Sequence, residues 1–195
     1  MIIKLFKPRK ITKQQARLYQ TLEFLVRLLA LSIPLYAILL FVDLILLQNL
    51  VAQEMMWLFK VLGWPVTGEG LLFTTTNTGF VFMIAEDCTA WKSMIFFFAL
   101  IFAVPGKFFK KKAFGMKKPS TLKRRLIGLG IGIPVIWVGN LARILGIVWV
   151  EQTFGAETAM IVHAYLWQLG LIVLVLLLWF VWLLMSKKNS NYKLR

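Results

Sequence analysis

The sequence has one cysteine, one histidine and only eight acidic residues, against 23 lysines and arginines. Each scarcity excludes something. A single cysteine forbids an internal disulfide. A single histidine rules out the His-Glu-x-x-His helix of zinc proteases. One His with one Cys leaves a tetrahedral zinc short of ligands unless Glu86 or Asp87 joins them, so no metal and no cofactor is expected. The Gly-x-Ser-x signature of rhomboid-like proteolysis is missing, as is any internal repeat. A lone thiol in an oxidising compartment is either idle or kept for its reactivity.

Long apolar runs are what the chain has in abundance. Hydrophobic residues make up 59% of it and the mean hydropathy is +0.76, which is not a soluble globular composition. The run 161–185 carries no formal charge, 126–150 carries only Arg143, and 24–47 is broken only by Arg27 and Asp43. Each exceeds the roughly 20 residues that cross a hydrocarbon core. A fourth run, 86–104, is shorter. The expected fold is therefore an all-α integral membrane protein of about four transmembrane helices. A basic amphipathic segment 1–23 would precede one membrane domain, 24–185, and a basic tail 186–195 would follow it.

A net charge of +15 could point to nucleic acid, but its distribution points to a membrane. The basic residues cluster in 4–17, 107–125 and 187–195, which four spans place on one side. The positive-inside rule makes that side cytoplasmic. The other side receives 49–87 and 151–160, where Lys60 stands against Glu54, Glu69, Glu86, Asp87, Glu151 and Glu157. Both termini are thus expected in the cytoplasm. The first run is too long for the apolar part of a signal peptide, and it reads as a retained anchor.

The outer segment before the second span has structure of its own. Residues 51–62 place Met55, Met56, Leu58, Phe59 and Leu62 at helical spacing, as in a helix lying in the interface. Further on, 71–76 and 80–85 flank Asn77-Thr78-Gly79, which predicts a small β-hairpin. At that depth, such backbone survives only against protein or water. The hairpin should lie over the mouth of the bundle.

Three side chains on this outer side could carry chemistry. Cys88 is expected at the amino terminus of the second span, where the helix dipole favours thiolate, with Lys92 one turn on as a source of positive charge. The bland alternative is a small buried hydrophobe. Arg143 is the costliest residue to hold in lipid. It either serves a site or pairs with Asp43, and Asn140 shares its helix face. His163 is the only side chain with an ordinary pKa near neutrality; Trp167 follows one turn later. Nucleophile, base and cation would then share one partly dry layer.

In order, Cys88-Thr89-Ala90-Trp91-Lys92-Ser93-Met94, then Asn140-Leu141-Ala142-Arg143-Ile144, then His163 ahead of the last apolar run, resemble the exosortase/archaeosortase family over residues 70–185. The family commonly has glycine two residues after the cysteine, where this chain has Ala90. The resemblance implies a compact membrane cysteine peptidase/transpeptidase. Its substrates would be exported proteins whose carboxy-terminal tail carries a motif, a transmembrane helix and a basic cluster. It further implies an acyl-enzyme on Cys88, general acid/base work by His163, and an Arg143, positioned by Asn140, that stabilises the oxyanion or orients the acyl intermediate. Water or an acceptor such as a lipid would complete the reaction. The rival is a non-enzymatic membrane assembly factor or chaperone, in which Arg143 is a structural ion pair and Cys88→Ala is silent.

Overall fold

In a computed structural model the described residues are 13–39, 41–105, 121–165 and 169–188. The basic clusters within 4–10, 107–118 and 189–195, together with Trp167, lie outside them. The chain is mostly helical with one small sheet. In order it forms α1 (Lys13–Leu39), α2 (Ile45–Leu62), strands β1 (Val66–Glu69), β2 (Leu72–Thr75) and β3 (Val81–Met83), and a 3-10 turn (Glu86–Thr89). Helices α3 (Trp91–Ala103), α4 (Thr121–Phe154), α5 (Ala156–Tyr165) and α6 (Leu171–Lys188) follow.

Among the described residues two helices are long and apolar enough to cross a membrane, Leu18–Ile38 within α1 and the whole of α4; α3 and Leu171–Ser186 of α6 are apolar but shorter. At 1.5 Å per residue, α4 is about 51 Å long and α3 only about 20 Å. The short helix is the central one. Helix α3 packs against α1, α4 and α6, and it buries Met94, Phe97, Ala99, Leu100, Ile101 and Ala103. Close approach depends on Gly132 of α4: a Cβ there would stand 2.1 Å from Phe97 Cε1. Small residues at such contacts let helices meet without a hydrophobic driving force from lipid. The outward faces stay apolar, with Leu22, Leu29, Ile131, Val138, Val173 and Leu177 all exposed. A soluble surface does not leave so much apolar area uncovered.

Several sequence expectations are corrected here. Helix α1 begins at Lys13, within the basic segment, and continues past 23 to Leu39. The run 24–47 is not one helix. It stops at Leu39, and Asp43 accepts the Ile45 amide at 2.9 Å to open α2. Asp43 is therefore a turn residue rather than a partner for Arg143. The interfacial helix starts six residues earlier than 51 and buries Gln48, Val51, Ala52, Met55 and Phe59, one face at helical spacing. It ends at Gly63 in the left-handed region (φ 66°), and the Trp64 amide reaches back to the Phe59 carbonyl at 2.9 Å, as at many helix ends.

The hairpin is one strand larger than expected. β1, β2 and β3 form an antiparallel meander with Val66 opposite Thr75 and Phe73 opposite Phe82. The sequence Val66-Thr67-Gly68-Glu69 is too short and too glycine-rich to signal a strand alone; pairing with β2 creates it. The sheet is seated on α2 through Phe59, whose ring meets Trp64, Phe73 and Phe82 at 5.9, 6.0 and 6.4 Å. The described residues of the run 161–185 lie mainly in α5 and α6.

Candidate active site

Cys88 does not open an α-helix. It sits in the 3-10 turn, which Thr89 stabilises by donating its hydroxyl to the Glu86 carbonyl at 2.6 Å. Ala90, at φ 56° and ψ 5°, then breaks the chain direction before α3 starts at Trp91. The expected benefit from the α3 dipole is thereby reduced, because the thiol precedes the helix by a left-handed residue. What fixes Cys88 instead is α4. Asn140, fully buried, donates Nδ2–H to the Cys88 carbonyl at 2.5 Å. Asn140 thus holds the backbone of the cysteine.

Arg143 lies one turn further along α4 and is 9% exposed. Its guanidinium faces Cys88, itself 8% exposed, within hydrogen-bonding and electrostatic reach of the sulfur. His163 stands on α5. Helix α5 folds back on α4 at Gly155 (φ 87°), where the Gly155 amide donates to Glu151 and the Ala159 amide to Gly155. That reversal brings His163 into electrostatic reach of Arg143.

All three line one cavity of about 240 Å³. One wall is β2–β3 chain (Phe80, Phe82, Met83, Ile84), one is α4 (Ile144, Ile147, Val148) and one is α5 (Ala159, Met160). The walls are apolar, so the thiol, the guanidinium and the imidazole are its polar groups. In such a space a fixed positive charge acts on a developing anion far more strongly than it does in water.

Asp87 is within electrostatic reach of both Cys88 and Arg143 but does not line this cavity. Glu86, Asp87 and Lys92 line a separate depression with Ala90, Trp91, Ser93, Leu171 and Ile172. Lys92 is paired with Asp87 and lies over the Tyr36 ring, 6.0 Å from its centre. Its charge is matched there, so Lys92 is not the cation beside the sulfur; Arg143 is.

One residue escaped the sequence reading. Glu151, 1% exposed, accepts the Thr78 hydroxyl on Oε1 at 2.5 Å. It had been counted only among the outer acids. Its signal was available: 140, 144, 147 and 151 fall on one helical face, and Thr78 stands in the hairpin turn.

No curated protein and no solved structure matches the chain. The profile of the family described as Transmembrane exosortase (Exosortase_EpsH) matches residues 13–182, which include every helix and strand of the cavity described above. The chain belongs to the transmembrane exosortases.

Proposed function

We propose that this exosortase is a membrane-embedded cysteine peptidase/transpeptidase that removes the carboxy-terminal sorting tails of exported proteins at the outer membrane face, with Cys88 as nucleophile. One observation carries the reading: the only thiol and the only imidazole of the chain line a single cavity with a buried guanidinium. Packing alone has no need for these three groups together. The guanidinium of Arg143 costs far more to bury than an aliphatic side chain.

In the proposed reaction Cys88 passes its thiol proton to His163 as the sulfur, beside the Arg143 charge, attacks the scissile carbonyl carbon. A C–S bond forms and the carbonyl π pair moves to oxygen, where Arg143 stabilises the oxyanion. Collapse breaks the C–N bond, and protonated His163 gives its proton to the leaving amine. The tail helix departs into lipid. An acceptor amine or water, deprotonated by His163, then attacks the thioester and expels the thiolate. An amine-bearing lipid suits the transfer, since on this reading the reaction takes place at the outer membrane face. Asn140 keeps the Cys88 carbonyl in place throughout. Three apolar walls suit a substrate that arrives laterally from the bilayer, with both chain termini of the enzyme on the cytoplasmic side.

The test is the mass of the carboxy-terminal end of a tail-bearing substrate co-expressed with wild type or with Cys88→Ala. Loss of the tail with wild type alone is the expected result, and any added mass identifies the acceptor. Intact tails with both proteins, across every tail-bearing protein of the host, would put the assembly-factor reading first.

A further inference from the structure

The sheet and α4 meet through a polar cluster that the proposed chemistry leaves unused. Phe80, a cavity wall residue, donates its amide to Thr75 Oγ1 at 3.1 Å. The Thr75 and Thr78 hydroxyls lie 2.5 Å apart, and Thr78 donates to Glu151 Oε1 at 2.5 Å. Thr78 gives its one hydrogen to Glu151, and the Thr75 hydroxyl has two acceptors in reach, Thr78 Oγ1 and, at 3.3 Å, the Phe80 carbonyl. With the Thr75 hydrogen turned to Thr78, the bonds run in one direction, from the Phe80 amide through two hydroxyls to the carboxyl of Glu151. Aligned chains of this kind reinforce one another where water is excluded, and Thr75 and Glu151 are both buried.

Glu151 is an expensive way to join a turn to a helix. Its Oε2 is buried with no hydrogen-bond partner among the described residues. A half-satisfied buried carboxyl costs stability that an apolar contact would not. The bond it does make lies across the cavity's edge. Glu151 shares a helical face with Asn140, Ile144 and Ile147, so one face of α4 holds the cysteine backbone, lines the cavity and ends on the hairpin turn.

We propose that Glu151 is a positioning residue: through Thr78 and Thr75 it fastens the β2–β3 wall of the cavity to α4 and sets how far the cavity opens onto Cys88. This deepens the proposed function, since it takes the cavity as the place where substrate binds. The wall touches the flank of the substrate and not the reacting atoms. Loosening it changes substrate affinity more than the chemical step.

Cys88 is the only thiol of the chain, so thiol labelling of the full-length protein in lipid nanodiscs reports on one site. The readout is the labelling rate with a bulky maleimide relative to that with a small methanethiosulfonate. Thr78→Val, which removes only the hydroxyl, and Glu151→Leu should each raise that ratio about tenfold, the factor that a lost hydrogen bond of ordinary strength gives. Glu151→Gln keeps an oxygen acceptor for Thr78 and should stay within about twofold of wild type. The Thr78→Val/Glu151→Leu double variant should exceed neither single variant, because both break the same bond. With a tail-bearing substrate, the two disrupting variants should raise KM and leave kcat nearly unchanged. An unchanged labelling ratio in both of them, a Gln variant as open as the Leu variant, or a fall in kcat at constant KM would each overturn the proposal. Failure of wild type to cleave any tail would sink the proposed function alone, and the labelling ratios would still decide the role of Glu151.

Discussion

The two ends of α4 use the same kinds of residue for opposite purposes. Where α4 begins, Arg125 donates to the Val104 carbonyl at 2.6 Å and lies 5.0 Å above the Phe102 ring. Beside it Arg124 donates to the Ser186 carbonyl at 3.2 Å, while Trp182 donates to the Arg124 carbonyl at 3.1 Å. These cations satisfy backbone carbonyls at the ends of α3 and α6, as cations at helix carboxy termini commonly do. Where α4 approaches its other end, Arg143 is buried against a thiol, Asn140 Oδ1 and Glu151 Oε2 are buried without partners among the described residues, and Ala90 nearby is left-handed. The first end follows the ordinary rules of capping, with the Arg125 Nε as its one buried arginine atom lacking a hydrogen-bond partner among the described residues. The other breaks several at once, as sites that perform chemistry do.

The largest effects should separate these ends by kind. Cys88→Ala should abolish tail cleavage. Arg143→Ala should lower kcat by about 10²–10³, the usual cost of losing one oxyanion stabiliser. Circular dichroism in detergent should show both proteins folded. Arg125→Ala should leave kcat alone, and a comparable loss of turnover there would break the comparison outright. Gly132→Ala comes next, and its effect should fall on stability. The new Cβ would enter the space of the Phe97 ring, and overpacking of this sort costs about 1–3 kcal/mol, read as a lower midpoint of thermal unfolding. Arg125→Ala should cost about 1 kcal/mol through its lost bond to Val104. If instead Gly132→Ala stops cleavage at unchanged stability, the packed end takes part in the chemistry after all.

How much of this was legible in the sequence follows the same division. Apolar runs and the clustering of charge disclosed a membrane chain, because burial in lipid leaves a compositional mark that no local geometry can hide. Cys88, Arg143 and His163 stood out because each is scarce or costly where it lies. What depends on a partner was not legible. β1 exists only beside β2. Lys92 looked like the companion of Cys88 at one helical turn, but a left-handed residue between turn and helix sends it to Asp87 and Tyr36 instead. Asn140 was assigned to its neighbour on the same helix, whereas its bond goes to a backbone carbonyl 52 residues away in sequence. Glu151 looked like one more outer acid because its partner, Thr78, lies 73 residues earlier.

The smallest predicted effect probes the strained end through Ala90, where the family commonly has glycine. Three contributions oppose one another in Ala90→Gly. Relief of the left-handed conformation, which costs an L-residue roughly 1–2 kcal/mol, favours glycine. Loss of the buried methyl costs about 0.8 kcal/mol, since Ala90 is almost wholly buried. The greater freedom of glycine in the unfolded chain costs a further 0.4–1 kcal/mol or so, about the gain seen for the reverse substitution at unstrained sites. The sum lies within about 1 kcal/mol of zero by these same figures, so thermal unfolding should hardly move, and the placement of Cys88 two residues earlier should survive. Ala90→Val meets no such cancellation. A β-branched residue is a genuine outlier at positive φ, and the site is closed on all sides, so that variant should unfold well below wild type. A large gain in stability for the glycine variant would mean that the turn carries more strain than one left-handed alanine explains, and that the end of the molecule bearing the thiol is held under tension by Asn140 and α4.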